Sequence, residues 1–448
     1  TELGLPVPPG FTITTEASRA YHAGGWPEGL DEELRHLMGR VESAVGRRFG
    51  DPADPLLVSV RSGAPVSMPG MLDTILNLGL NEVTTPGLAA AARDEAFAAA
   101  CHERLVSMYT DIVGTETVPE DPWEQLRNAV EAVFRSWHSE RASSYREVEG
   151  ITEDTGTAVT VQAMVFGNRG TDSATGVLFT RNPATGENTL YGDVLFGAQG
   201  EDVVAGTHAT EPISVLDERL PQVAVELRSY ADRLEQHSRD ICDIEFTIED
   251  GRLWLLQNRI GKRTAQAACR AAVEMAEDEA FPLSRPEAVE RVADILIDPP
   301  TTAAEKADDV PVVAQGLGAS PGLVTGAVAT TPEKAVAMAE TGTDVLLVRS
   351  ETSPDDGHGM AKWVGLLTST GGLASHAAVV ARGWDIPAVV GAAAVVVGEG
   401  SVTIGEASYD EGDVLRIDGS TGEVYGGAVE SMVTVCPEAA TLLAWARE

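Results

Sequence analysis

The chain has 448 residues, enough for two to four domains with cores of their own, and its 43% hydrophobic and 23% charged content is ordinary globular material. A formal net charge of −37 argues against nucleic acid or an anionic membrane as partner, because both demand clustered basic side chains. The cations are 28 arginines and four lysines, with no lysine before residue 262, so any polyanion site in the first half must be built from arginine. The four cysteines (Cys101, Cys242, Cys269, Cys436) form no Cys-x-x-Cys pair, which fits reduced thiols rather than a disulfide framework or a zinc site. No signal peptide and no apolar run of about 18 residues is visible, so a cytoplasmic protein is expected. The first residue is Thr1 rather than Met, which reads as a trimmed chain.

In chain order, helical spacing predicts helices over 31–48 and 87–110, with a strand over 56–60 leading into Arg61. From Gly156 the pattern turns β-rich, with strands over 157–166, 176–180 and 190–196, a helix over 222–240, and a hairpin over 243–258. Two helices follow, over 263–279 and 285–297. Residues 298–311, with Pro-Pro, Thr-Thr and a charged stretch, read as a linker. Beyond it strands are expected over 325–330, 344–349, 365–368, 388–390 and 414–417, with an apolar helix over 439–446 closing the chain.

Two segments carry chemistry. In the first, Gly371 and Gly372 follow the apolar strand 364–367 and permit a tight turn with backbone close to a ligand. Ser375 stands at the N-cap of a helix over about 376–383, and His376 opens that helix. An imidazole there meets the positive end of the helix dipole and unpaired N–H groups, which favours the neutral nucleophilic ring and stabilises an attached phosphoryl group.

The second segment is the hairpin. Residues 249–251 suit a three-residue loop with glycine left-handed. In that register Asp243, Glu245, Gln257 and Arg259 share one face, and Ile244, Phe246, Ile248, Trp254 and Leu256 share the other, buried one. Two carboxylates, an amide oxygen and a guanidinium on a stiff sheet suit magnesium–triphosphate binding; an ordinary solvated sheet face is the alternative. Arg61, at a strand end beside Ser62 and Gly63, suits a bidentate phosphate clamp or, equally, a surface salt bridge. The pairs Thr175-Gly176 and Thr185-Gly186 are weaker candidates for backbone phosphate contacts.

Residues 371–384 resemble the phosphohistidine motif of pyruvate phosphate dikinase, in the group that includes phosphoenolpyruvate synthase. Residues 5–14, 59–64, 69–79, 180–186, 198–206 and 243–247 are similar to the same family and recur in the same order. The resemblance implies an α/β and α+β multidomain protein: an ATP-grasp nucleotide-binding domain (1–145 and 146–264), a helical segment and linker (265–311), a swivelling β/β/α-type phosphohistidine domain (312–427) and a tail (428–448).

It further implies that His376 is the phosphoryl-carrying residue, that Arg61, Asp243, Glu245, Gln257 and Arg259 bind ATP, and that Glu245 and Gln257 hold Mg2+. Gln162 would lie on the adenine-side strand and His358 in a structural segment. The expected activity is phosphoryl transfer from ATP and phosphate to His376, giving AMP and pyrophosphate. Onward transfer would go to pyruvate or another acceptor, through a pyruvate/phosphoenolpyruvate domain in trans; a homodimer is also allowed.

Three departures stand against the pattern. The family's glycine-rich, lysine-bearing segment and its C-terminal barrel are not among these residues, and Ala374 replaces a threonine that is a regulatory site in some members. The alternative is therefore an inert regulatory or phosphocarrier relative.

Overall fold

The computed structural model describes residues 3–64, 73–151, 155–204, 210–303, 311–352, 363–373, 375–384, 386–405, 407–427 and 433–447. Residues 69–72, His358 and Ala374 therefore lie outside the described residues. Two compact units emerge, Thr1–Arg169 and Gly170–Glu448.

The first unit is built on a four-stranded antiparallel sheet of β1 (Gly10–Ile13), β2 (Val58–Gly63), β3 (Thr74–Leu78) and β4 (Ala158–Ala163), in the order β1-β4-β2-β3. Val58, Val60, Ile75, Leu78, Val159 and Val161 form its core with apolar residues of the helices Leu30–Val45, Glu95–Val113 and Pro122–Ser136. The expected helix over 87–110 is two helices, Thr84–Ala92 and Glu95–Val113. Arg93 turns left-handed (φ 56°) to end the first, and the Asp94 carboxylate caps the second by accepting from the Phe97 N–H at 2.9 Å. A local cap outweighs the continuous alanine-rich propensity.

In the second unit a five-stranded antiparallel sheet comprises β5 (Ala174–Phe179), β6 (Tyr191–Phe196), β7 (Glu211–Pro212), β8 (Cys242–Glu249) and β9 (Arg252–Ile260), in the order β9-β8-β5-β6-β7. The helix Pro221–Ser238 packs on β8 and β9, burying Leu227, Ala231 and Leu234. The β8–β9 connection is a two-residue turn, Asp250-Gly251, with both residues left-handed, as the type I′ geometry of tight hairpins requires. The three-residue loop expected from the sequence is thus corrected.

The shorter turn alone would set Glu245 opposite Leu256. A bulge adds a second shift and restores the shared face, with Leu256 as the extra residue between Gln257, opposite Glu245, and Leu255, opposite Phe246. Consequently Leu253 and Leu255, not Trp254 and Leu256, join Ile244, Phe246 and Ile248 in the core.

The same unit holds an eight-stranded mixed sheet, ordered Val312–Gln315, Glu423–Gly426, Val414–Asp418, Leu323–Ala329, Val345–Arg349, Gly365–Thr368, Ala388–Val390 and Leu317–Ser320. Four consecutive strands, from Leu323–Ala329 to Ala388–Val390, run parallel. Parallel neighbours need a crossover, and the helix His376–Gly383 is the crossover between Gly365–Thr368 and Ala388–Val390. The histidine therefore follows the C-terminal end of a parallel strand, where ligands of open α/β sheets usually gather.

Behind these sheets, the helices Ala265–Glu277, Arg285–Arg291 and Pro437–Trp445 share a core containing Cys269, Ala272, Cys436 and Leu442. The expected linker is not wholly irregular: Thr301–Ala303 pairs antiparallel with Val433–Val435, and residues 304–310 lie outside the described residues. Sequence pattern alone could not find that strand, because its partner is 130 residues away.

Candidate functional site

The bulge places Asp243 opposite Arg259 and Glu245 opposite Gln257, so the four side chains share one face of the second unit's first sheet. The register continues the rows across β5 and β6: Asp243 pairs with Phe179 and that with Tyr191, while Glu245 pairs with Val177 and that with Asp193. Arg259 ties the acids together, its Nη2 lying 2.9 Å from Glu245 Oε1 and 3.3 Å from Asp243 Oδ2.

Asp243 is buried, and its Oδ1 finds no hydrogen-bond partner among the described residues. Burial pushes its carboxyl up to about 6, opposed by Arg259 and Arg382 and assisted by Glu245. Burial also works against the Arg259 cation, but Asp243 and Glu245 outweigh it and hold the guanidinium above its ordinary value. An acid face of this kind is short of positive charge and favours a cation or a cation-bearing ligand.

The histidine loop lies against the same face. Gly371 is left-handed (φ 99°), as the tight turn requires. At Gly372 a methyl group would stand 2.5 Å from Asp193 Oδ2 and 2.8 Å from Thr210 Oγ1, so any larger residue must displace these side chains or the loop. The Tyr191 hydroxyl donates to the Gly318 carbonyl at 3.2 Å, joining the two sheets a second time.

Ser375 occupies the N-cap position with extended backbone (φ −62°, ψ 159°), but its hydroxyl makes no capping bond. Its Oγ is buried beside Gly371 and has no partner among the described residues, which corrects the expected side-chain cap. His376 opens the helix as expected and is half-buried.

The remaining candidates separate. Arg61 lies on β2 of the first unit, half-buried, opposite Thr74 and Thr160. Gln162 is a buried core residue of β4 whose amide donates to the Pro8 carbonyl at 3.2 Å. Gly176 sits mid-strand in β5, where a Cβ would collide with the Phe246 ring at 2.4 Å; packing explains it without a phosphate. Thr185 and Gly186 form a turn anchored on Asn182, its carbonyl accepting from the Gly186 N–H at 2.7 Å and its side-chain oxygen from the Thr185 N–H at 3.2 Å.

Sequence reading missed Asp193, Tyr191 and Arg382. A faint signal existed: Asp193 interrupts the otherwise uncharged strand Tyr191–Phe196, and Arg382 falls beside the buried Ala378 and Ala381 on the histidine helix.

A family model described as pyruvate phosphate dikinase, AMP/ATP-binding domain, matches residues 24–225 and 211–280. The chain belongs to the pyruvate phosphate dikinase family. A second family model, described as the PEP-utilising enzyme, mobile domain, matches residues 342–422 and so includes the histidine helix. Among the relatives, pyruvate, phosphate dikinase of Rhizobium meliloti (strain 1021) is 43% identical, over 95% of this chain and 54% of its own length. The chloroplastic pyruvate, phosphate dikinase 1 of Oryza sativa subsp. japonica is 42% identical, over 100% and 52%. The Clostridium symbiosum enzyme is 41% identical, over 100% and 57%.

The chain thus spans about half the length of the dikinases it matches. Within the dikinase frame, the carboxylate face lies in the part matched by the nucleotide-binding model, and His376 in the part matched by the mobile-domain model. No helix among the described residues is long and apolar enough to cross a membrane.

Proposed function

We propose that this chain performs the ATP half-reaction of a dikinase, moving a phosphoryl group from ATP to His376. The observation that carries this reading is the placement of the histidine loop on the Asp243–Glu245–Gln257–Arg259 face, through Gly372 and Asp193. The first unit and the five-stranded sheet are read as an ATP-grasp pair, with Arg61 clamping phosphate. The module around His376 is read as the swivelling domain that later visits an acceptor.

Glu245 and Gln257 offer two hard oxygens, and Asp243 holds a buried oxygen without a partner nearby. That donor set suits Mg2+ held chiefly by nucleotide phosphates and water rather than by an all-protein cage. Among the described residues, no cluster of three or more His, Cys, Asp or Glu that could hold a metal ion is present. When bound with ATP, the ion neutralises charge on the transferring phosphates.

The chain's own residues supply position and charge. Arg259 pairs with phosphate oxygens once ligand draws it from Glu245. The Gly371–Gly372 turn brings backbone close to the phosphates, and the N-terminus of the helix stabilises the phosphoryl group that His376 receives. The neutral imidazole attacks the β-phosphorus in line, the bond to the α-phosphate oxygen breaks, and AMP leaves. Phosphate then accepts the terminal phosphoryl as pyrophosphate, leaving phosphohistidine for an acceptor such as pyruvate, on a domain supplied in trans.

The test is acid-labile labelling from β-labelled ATP in the presence of magnesium and phosphate, with His376→Ala as control. Label on the wild type alone, with nucleotide binding intact in both, is the expected result. Label that survives in His376→Ala removes the assignment. Binding without any label favours the inert phosphocarrier reading.

A further inference from the structure

Arg382 is one of the largest fully buried side chains of the protein, 1% exposed, and forms no ion pair among the described residues. Its Nη1 donates to the Ala319 carbonyl at 3.0 Å and its Nη2 to the Leu373 carbonyl at 2.9 Å, both within the histidine-bearing module. The guanidinium carbon lies 5.0 Å from the centre of the Phe179 ring, which belongs to β5 of the carboxylate sheet. Nε is buried with no partner among the described residues.

We propose that Arg382 is a positioning residue that makes the seating of the histidine loop on the carboxylate face firm but reversible. A guanidinium stripped of water without a carboxylate partner is costly, and among the described residues two carbonyls, an aromatic face and more distant acids offset that cost. The same burial holds its pKa down to about 10, against the pull of Tyr191, Asp243 and Asp193. An aliphatic side chain at this place would gain on docking and lose on release. Arginine does the opposite on one account: it loses hydration when the two surfaces meet and regains it when they part. The ring and the carbonyl of Leu373 then decide the orientation in which the loop is held. Leu373 precedes His376 by three residues, so the bond to its carbonyl fixes the turn that presents the imidazole.

This inference rests on the phosphotransfer reading for its meaning but has an independent readout. Hydroxyl-radical footprinting of Tyr191, whose hydroxyl is engaged only while the two sheets are together, reports docking in the absence of any turnover. Phe179→Leu removes the ring and leaves both carbonyl bonds in place; Arg382→Gln removes the charge; Arg382→Lys restores charge without the fork.

The expected result is a several-fold rise in Tyr191 modification for Phe179→Leu and Arg382→Gln, smaller for Arg382→Lys. Transfer to His376 slows about tenfold in the same order while MgATP affinity changes less than twofold, about what the loss of a desolvated cation–π contact gives. Unchanged Tyr191 modification in Phe179→Leu, or an Arg382→Gln variant that loses only thermal stability, overturns the proposal and leaves Arg382 as internal scaffolding. If the wild type takes no label but the footprint still responds, the phosphotransfer reading fails and the docking role stands.

Discussion

A methyl group at Gly372 would meet the carboxylate of Asp193 at 2.5 Å, although the two residues are 179 positions apart. Gly371, its neighbour, is glycine for a different reason, since its φ of 99° strains any other residue. The two substitutions should therefore part company. Gly371→Ala distorts the turn itself and should cost about 1–3 kcal/mol of stability. Gly372→Ala is relieved by separating the surfaces, so its melting temperature should stay near that of the wild type while phosphorylation of His376 falls at least tenfold. Thermal melts and labelling on the same samples check both, and equal effects on both readouts would refute the distinction.

Glu245 is shared between a proposed cation and Arg259, which it meets at 2.9 Å. Glu245→Gln keeps the shape and removes the charge. MgATP affinity should drop about tenfold to a hundredfold, the usual worth of a hydrogen bond or contact to a charged group. Nucleotide without magnesium should bind nearly as before. Calorimetry with and without EDTA measures the difference, and equal losses in both would remove Glu245 from the metal.

Asp243 sets a pH dependence whose sign is fixed by its environment. Burial raises its carboxyl from 3.8 to about 6 in the folded state, so folding favours the protonated form. Between those values the native state holds a proton that the unfolded chain has released, and stability must fall as pH rises from about 4 to about 6. At neutral pH the full penalty applies, of the order of 2–3 kcal/mol for a shift of this size. Asp243→Asn should therefore be more stable than the wild type at pH 7.5, with the advantage gone below pH 4. Denaturant melts across that range decide it, and an advantage that grows on acidification would contradict the assignment.

The segment 180–186 is part of the family resemblance, yet two of its residues serve as a structural node. Arg181 is buried, its Nε 3.0 Å from Glu235 and its Nη1 2.6 Å from Glu274, and Glu235 also accepts from the Thr180 hydroxyl at 2.7 Å. Without Glu235 the Arg181 guanidinium keeps Glu274 but loses its buried partner, so the cost should fall below the about 3–5 kcal/mol of a wholly unpaired buried charge, at about 2–3 kcal/mol. Glu235→Ala should lose stability of that size with nucleotide affinity intact in the folded fraction. A loss of affinity without a loss of stability would move Arg181 into the binding site.

What could be read from the sequence followed from short-range rules. The histidine helix over 376–383 was legible because a glycine turn, an extended serine and an apolar strand lie next to one another in the chain. The acid face of β8 and β9 was legible from alternation, even though the turn length was misread, because Asp250-Gly251 and the Leu256 bulge each shift the register by one residue in the same sense, and a two-residue shift returns Glu245 to the face of Gln257. Nearer the turn only the first shift applies, which is why Leu253 and Leu255 took the core places expected of Trp254 and Leu256. Asp193 and Arg382 escaped notice because their roles depend on segments meeting from distant parts of the chain, which no local period encodes. The Ser375 hydroxyl went astray for a related reason, being enclosed beside Gly371 rather than turned to its own helix.

The pairing of Thr301–Ala303 with Val433–Val435 brings together the chain on its way into and out of the histidine-bearing sheet. If that sheet moves as proposed, a doubled stem would serve it like the post of a door, and a cut in either connection would leave it attached.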